Sequence, residues 1–157
     1  YNTEQFRQAA ARLRSAWPMA AFTTDVIVGF PGETEEEFAE TIAFCREIGF
    51  ARLHVFPFSP REGTPAAVME GQIPETVKAE RVRRLIAVGD ELARQYRERF
   101  LDKSVPVLLE DQAPDGSMTG YTPEYIHVLV EGGKSGQVVN VRLESLTEEG
   151  MCGTLVE

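Results

Sequence analysis

The chain has 157 residues, 43% of them hydrophobic and 26% charged, with a formal net charge of −9. That suits one domain or two small ones of ordinary globular composition, and no apolar run approaches the roughly 20 residues that span a bilayer. The acidity excludes a nonspecific nucleic-acid coat, and 2 cysteines are too few for a disulfide framework.

The charge is uneven. Residues 1–60 sum to −3, residues 61–103 to +1, and residues 104–157, with 2 basic and 9 acidic side chains, to −7. The chain opens Tyr-Asn-Thr-Glu-Gln-Phe, with neither methionine nor signal peptide, as expected of a piece of a longer protein. The low cysteine count makes a reducing, cytoplasmic setting the expectation.

Thr3 is the expected N-cap of a first helix bearing Phe6, Ala9, Ala10, Leu13 and Trp17 at helical spacing and closed by Pro18. Residues 20–29 read as a buried parallel strand whose apolar β-branched run stops in the turn Gly29-Phe30-Pro31-Gly32. Gly29 and Gly32 let the backbone approach a ligand closely, and Pro31 stiffens the turn. The carboxyl end of such a strand is where α/β sheets bind ligands. Thr34 and Glu37 form a capping box for a second helix, with Phe38, Ile42, Cys45 and Ile48 as its buried stripe and Gly49 just past its end. Cys45 therefore reads as a core packer.

A second buried strand follows at Leu53-His54-Val55-Phe56, at the separation of a β-α-β crossover. Within it His54 reads as a hydrogen-bonded core residue, and Pro57 is expected to end regular pairing. Residues 57–72 form a loop punctuated by Pro and Gly, placed where loops tend to be functional. Pro74 opens a long helix with Val82, Leu85, Gly89, Leu92, Tyr96 and Phe100 on one face, Gly89 implying a close neighbour. Its other faces carry Lys78, Arg81, Arg83, Arg84, Arg94, Arg97 and Arg99, for which solvation is the default. From Ser104 the pattern becomes short strands at Val105–Leu109, Gly120–Thr122, Tyr125–Val130, Gln137–Leu143 and Gly153–Val156, which suggests a small OB-type barrel. The domain boundary is expected near Lys103, giving domains of residues 1–103 and 104–157.

Three stretches in this order resemble the C-terminal half of a radical S-adenosylmethionine tRNA methylthiotransferase. They are Thr24-Asp25-Val26-Ile27-Val28-Gly29-Phe30-Pro31-Gly32-Glu33-Thr34, then His54-Val55-Phe56-Pro57-Phe58-Ser59-Pro60-Arg61 with Gly63-Thr64-Pro65, then Gln72-Ile73-Pro74-Glu75 through Glu80-Arg81. The resemblance covers essentially the whole chain. It implies the last β/α units of a radical S-adenosylmethionine partial TIM-like barrel, followed by an OB-like TRAM domain. The segment at residues 54–58, with Gly120-Tyr121-Thr122 and Tyr125, looks most like the branch that adds a methylthio group to C2 of N6-threonylcarbamoyladenosine 37 of tRNA.

That resemblance implies S-adenosylmethionine and two 4Fe-4S clusters in the full-length parent. The cluster-binding cysteines of the family have no counterpart here, since Cys45 and Cys152 match neither set. The part is thus expected to shape cofactor and substrate sites and to be inactive alone. Ile27, Gly29, Phe30, Pro31, Gly32, Phe56, Pro57 and Phe58 match positions that meet the cofactor. Ser59 and Arg61 lie where either ligand could be met. For tRNA, Tyr121, Tyr125 and His127 are candidates for stacking on bases, and Arg81, Arg84 and their neighbours on the long helix for holding phosphates. The first strand would lose a neighbour absent from this chain, so dimerisation through its open edge is expected. Two rival readings stand beside this one: an RNA-binding TRAM module with helical support, and a noncatalytic α/β ligand-binding protein.

Overall fold

The computed structural model describes residues 2–156. It divides into two compact units: one is Phe22–Ala93 with the segment ending at Ser15, the other Ala16–Ala21 with the segment from Arg94 onward.

The first unit begins with α1 (Thr3–Ala16). Its cap is Asn2 rather than Thr3. The Asn2 side chain accepts from the Gln5 amide at 3.0 Å while Gln5 Oε1 accepts from the Asn2 amide at 3.1 Å, so two otherwise orphaned donors are satisfied reciprocally. After Pro18 the Ala20 amide closes a turn onto the Trp17 carbonyl. The strand β1 is accordingly Thr23–Val28, shorter than residues 20–29.

β1 pairs in parallel with β2 (Arg52–Pro57), Thr23 opposite Arg52 and Val28 opposite Pro57. Pairing survives Pro57 because the ladder is carried by the next amide: Phe58 N donates to the Val28 carbonyl at 2.8 Å, so the missing proline N–H leaves no gap there. The crossover is α2 (Glu35–Ile48), whose Thr34–Glu37 capping box is fully formed and whose end is set by Gly49 at φ 65°. α2 buries Phe38, Cys45 and Ile48 against Val28, Phe50 and Leu85, with Ile42 half-covered beside them. Cys45 is indeed a packing residue, and its burial raises the thiol above its ordinary pKa.

A short 3-10 turn at Pro65–Val68 interrupts the loop after β2. The helix α3 runs Glu75–Glu98, with Pro74 just before its first turn, the Pro74 carbonyl accepting from the Val77 and Lys78 amides. A Cβ at Gly89 would stand 3.3 Å from Leu53 Cβ, the close neighbour its place in the stripe requires. His54 is exposed, not core. β1 and β2 bury Val26, Val28, Leu53 and Val55 on one face, and period-two alternation puts His54, like Asp25, Ile27 and Phe56, on the other.

In the second unit β3 (Ser104–Gln112), β4 (Met118–Tyr121), β5 (His127–Val130), β6 (Val138–Leu146) and β7 (Met151–Leu155) close a barrel in the order β3-β4-β5-β7-β6. Only β5 and β7 run parallel. Val107, Leu109, Val128, Val141, Leu143 and Met151 fill the interior. Closure needs Gly120: a Cβ there would stand 2.1 Å from the Leu108 carbonyl oxygen, a clash of backbone with backbone. Tyr125 is not in a strand. It sits at φ 61° in a turn whose Thr122 hydroxyl accepts from the Glu124 and Ile126 amides, so β5 starts at His127. β7 starts at Met151, two residues before the expected Gly153.

Tyr96 anchors this unit. Its hydroxyl donates to the Met19 carbonyl at 2.7 Å, its ring meets Phe100 edge-on at 5.3 Å, and the Arg99 guanidinium lies 5.5 Å above it. Burial, aided by the Glu124 carboxylate, lifts its pKa from 10.0 to about 12. The unfolded chain then releases this proton at lower pH than the native one. The resulting stability is complete below pH 10.0 and is lost as pH rises towards about 12. Urea midpoints measured across that window should fall more steeply for the wild type than for Tyr96→Phe; parallel slopes would refute the assignment.

Candidate functional site

β1 and β2 end side by side, and the loops that follow them are held by one helix. Gly29 (φ 74°) and Gly32 (φ 85°) adopt the left-handed region. The Gly29 amide donates to Glu33 Oε2 at 2.7 Å, and the Glu33 amide returns to the Phe30 carbonyl at 2.9 Å. Arg81 Nη1 donates to the same Glu33 Oε2 at 2.6 Å and to the Glu33 carbonyl at 3.0 Å. Arg81 is buried, its side chain 6% exposed, and Glu33 is largely covered at 13%. Three residues earlier Lys78, 3% exposed, donates through Nζ to the Phe58 carbonyl at 3.1 Å and to Glu75 at 2.8 Å. Its aliphatic stem covers Gly29 so closely that a Cβ would stand 2.5 Å from Lys78 Cγ. The two loops are also tied directly, Gly32 N donating to the Gly71 carbonyl at 2.9 Å and Phe30 meeting Phe58 edge-on at 5.1 Å.

This brings the predicted loop residues together. Ile27 and Phe56 are register partners on the open sheet face, 58% and 51% exposed. Phe30 stands out at the turn while Pro31 is buried beneath it, and space above Gly32 is free of other atoms within 4 Å of a would-be Cβ. Pro57 is exposed at the end of β2, Ser59 and Arg61 are exposed after it, and Phe58 is half-buried. The arrangement offers apolar area at one side and a Cβ-free backbone turn at the other, which fits a flat heteroaromatic group carrying a polar tail.

The sequence missed the two cations beneath this site. Lys78 and Arg81 stand three apart and continue, towards the N-terminus, the stripe that Leu85, Val88 and Leu92 bury. That continuation was the available signal. Arg84 pairs with Glu35 at 2.6 Å and lies 4.8 Å over the Phe38 ring. Arg94 pairs with Glu98, Arg97 donates to the Glu148 carbonyl and Arg99 to that of Pro18, while Arg83 is exposed.

On the barrel, Tyr121 lies 6.3 Å from Tyr125 and 5.3 Å from His127, centroid to centroid, all three tilted. Tyr125 is 86% exposed. Cys152 is on β7, in the unit that does not contain Cys45. Among the described residues no three His, Cys, Asp or Glu side chains come together as metal ligands, so the residues present do not fit an iron–sulfur cluster.

Two open loops over a β-α-β unit, followed by a closed five-stranded barrel with exposed aromatics, define an α/β piece and an OB-like module. The family model for the TRAM domain matches residues 99–155, and the barrel is a TRAM domain. Over nearly its whole length the chain is similar to tRNA methylthiotransferases and corresponds to a region of one that includes the TRAM domain. The threonylcarbamoyladenosine tRNA methylthiotransferase MtaB of Bacillus subtilis is 44% identical over 91% of this chain and 33% of its own length. Its namesake in Thermotoga maritima is 40% identical over 96% and 35%. A tRNA-2-methylthio-N(6)-dimethylallyladenosine synthase of Bacillus licheniformis is 38% identical over 99% and 31%. The chain thus spans about a third of the length of these relatives.

Removing Arg81 alone leaves a buried carboxylate unpaired. Arg81→Met should cost about 3–5 kcal/mol in urea unfolding, and Arg81→Met with Glu33→Gln should recover most of it. Amide exchange at Gly29 should quicken in the single variant. Equal losses in single and double variants would show that the pair does not hold the turn.

Proposed function

We propose that this chain is the cofactor- and substrate-shaping part of an enzyme that places a methylthio group on C2 of N6-threonylcarbamoyladenosine 37 of tRNA. The observation that carries the reading is the clamped pair of loops, on which the residues of the family-like stretches converge. In it β1, α2, β2 and α3 are the last β/α units of a radical S-adenosylmethionine partial barrel, and the free edge of β1 is where the remaining strands continue. Ile27, Phe56 and the backbone of Gly29 to Gly32, with Phe30 and Phe58 beside them, would hold the adenosyl group of S-adenosylmethionine. When bound, S-adenosylmethionine supplies the one-electron chemistry and the methyl group. This chain's own residues bind and orient: Lys78 and Arg81 hold the loops, and Ser59 and Arg61 on the loop after β2 reach towards the substrate. The ligands of the iron–sulfur clusters belong to the rest of the parent protein. The TRAM barrel holds the tRNA.

The choice of threonylcarbamoyladenosine over dimethylallyladenosine is supported by the name of the relative at 44% identity, against 36% to 40% for the dimethylallyladenosine synthases. A chimaera tests both levels. This chain should replace the matching third of the Bacillus subtilis protein in a strain lacking both that protein and the organism's own dimethylallyladenosine synthase, and tRNA nucleosides should then be separated by mass spectrometry. Return of 2-methylthio-N6-threonylcarbamoyladenosine is expected, with loss on Gly29→Val in the chimaera. A folded chimaera that methylthiolates only dimethylallyladenosine would overturn the substrate, and one that modifies neither would overturn the function.

A further inference from the structure

Residues 59–72, between the end of β2 and the start of α3, are well tied to one another and barely tied to anything else. The Arg61 carbonyl accepts from the Thr64 amide at 3.1 Å and from the Thr64 hydroxyl at 2.8 Å, and the Thr64 carbonyl accepts from the Ala67 amide at 3.1 Å. Gln72 Nε2 then donates to the Ala66 and Met69 carbonyls, both at 3.0 Å, and fastens the far end of the segment to its own 3-10 turn. All of these bonds lie inside the segment.

Outward attachments are few. Within residues 59–72 only Ala66 and Ala67 are even half-buried, and Val68 is 84% exposed, so apolar burial does not hold the segment down. Among the described residues a single hydrogen bond joins it to the rest of the unit, from Gly32 N to the Gly71 carbonyl at 2.9 Å. Both glycines are left-handed there, at φ 85° and φ 76°, and a Cβ on Gly71 would stand 3.2 Å from Gly32 N. The flanks, by contrast, are fixed. The Phe58 amide donates to the Val28 carbonyl, the Phe58 carbonyl accepts from Lys78 Nζ, and the Pro74 carbonyl accepts from the Val77 and Lys78 amides. Firm ends, internal bracing, little buried area and one outward bond are the physical requirements of a piece that opens locally and moves whole.

We propose that residues 59–72 form a strap that swings as one body about Ser59 and Ile73, with the Gly32–Gly71 bond as its clasp, and that its opening governs access to the glycine turn. Closed, the Gly71 carbonyl occupies the Gly32 N–H and the two backbones lie in contact. Open, that N–H and the turn face solvent, and Arg61 travels away with the strap. One neutral hydrogen bond shifts such an equilibrium only about two- to tenfold, so the clasp is weak enough to open often. The strap deepens the reading of these loops as a ligand site by adding the step that admits the ligand, and it rests on that reading for the ligand's identity alone.

The test is amide exchange in this chain, followed residue by residue by NMR, because exchange at Gly32 requires the clasp to open. In the wild type Gly32 should be protected at least about tenfold less than Gly29, whose N–H is held by Glu33. Gly71→Val sets a branched side chain against the turn at a left-handed position and should lower Gly32 protection by a further factor of about two to ten. Protection at Gly29, Thr64 and Ala67 should stay as in the wild type, and so should the thermal midpoint, since Gly71 is exposed. Gln72→Ala cuts the brace and spares the clasp, and should lower protection at Thr64 and Ala67 instead. Unchanged Gly32 protection in Gly71→Val would show that the bond is no clasp. Loss at Gly32, Thr64 and Ala67 together in that variant would mean that the segment unravels rather than swings, and loss at Gly29 as well would mean that the whole unit opens; either result overturns the strap. A chimaera that fails to modify tRNA would leave these protections untouched, so the two readings fail separately.

Discussion

The structure of the first unit depends on one carboxylate. Glu33 lies at the junction of the glycine turn and α2, almost out of water, and its Oε2 serves the Gly29 amide and the Arg81 guanidinium together. A buried ion pair of this kind is weak evidence of stability, because desolvating both charges offsets most of their attraction. What it supplies is definition. The left-handed Gly29 amide would otherwise be without a partner, and the guanidinium can meet both the carboxylate and the Glu33 carbonyl only when the turn has this shape. Lys78, three residues earlier, does the same for the loop after β2 by donating to the Phe58 carbonyl. One face of one helix therefore sets the geometry of the loops after β1 and β2, and the Gly32–Gly71 hydrogen bond keeps them in step.

Much of this fold was legible because local chemistry and tertiary structure agree. The Thr34–Glu37 box, Gly49 past α2, the parallel pairing and the five short strands each follow from a pattern within a few residues. The failures have equally specific causes. Asn2 displaced Thr3 as the cap because Gln5 could reciprocate, a pairing only the three-residue spacing reveals. His54 looked buried because its strand neighbours are apolar; the sheet has two strands, and one face of it is covered. Charge was the least legible property. An arginine on a helix reads as solvated, yet Arg81 is buried because its partner lies 48 residues away in a turn whose approach no local pattern records.

The second unit shows a different economy. Its interior is a plain apolar filling, and its acidic surface would ordinarily argue against any role with nucleic acid. At the β4–β5 turn that surface carries an uncharged aromatic corner, in which the Tyr121 ring meets those of Tyr125 and His127. The lone strained non-glycine residue of that corner, Tyr125, lies where an aromatic ring is held in water, a place where packing gains nothing.

Gly120 has a consequence for how such a barrel can diverge. Its backbone passes over the Leu108 carbonyl with no room for a methyl group, so the strand contact that closes the barrel lies directly beneath a residue of its outer face. Side chains at 108, 121 and 138 can be exchanged one by one, because each projects into open solvent. The spacing between their strands cannot. A drifting lineage would therefore vary the lettering on this face while inheriting its ruled lines, and the glycine would persist beneath it.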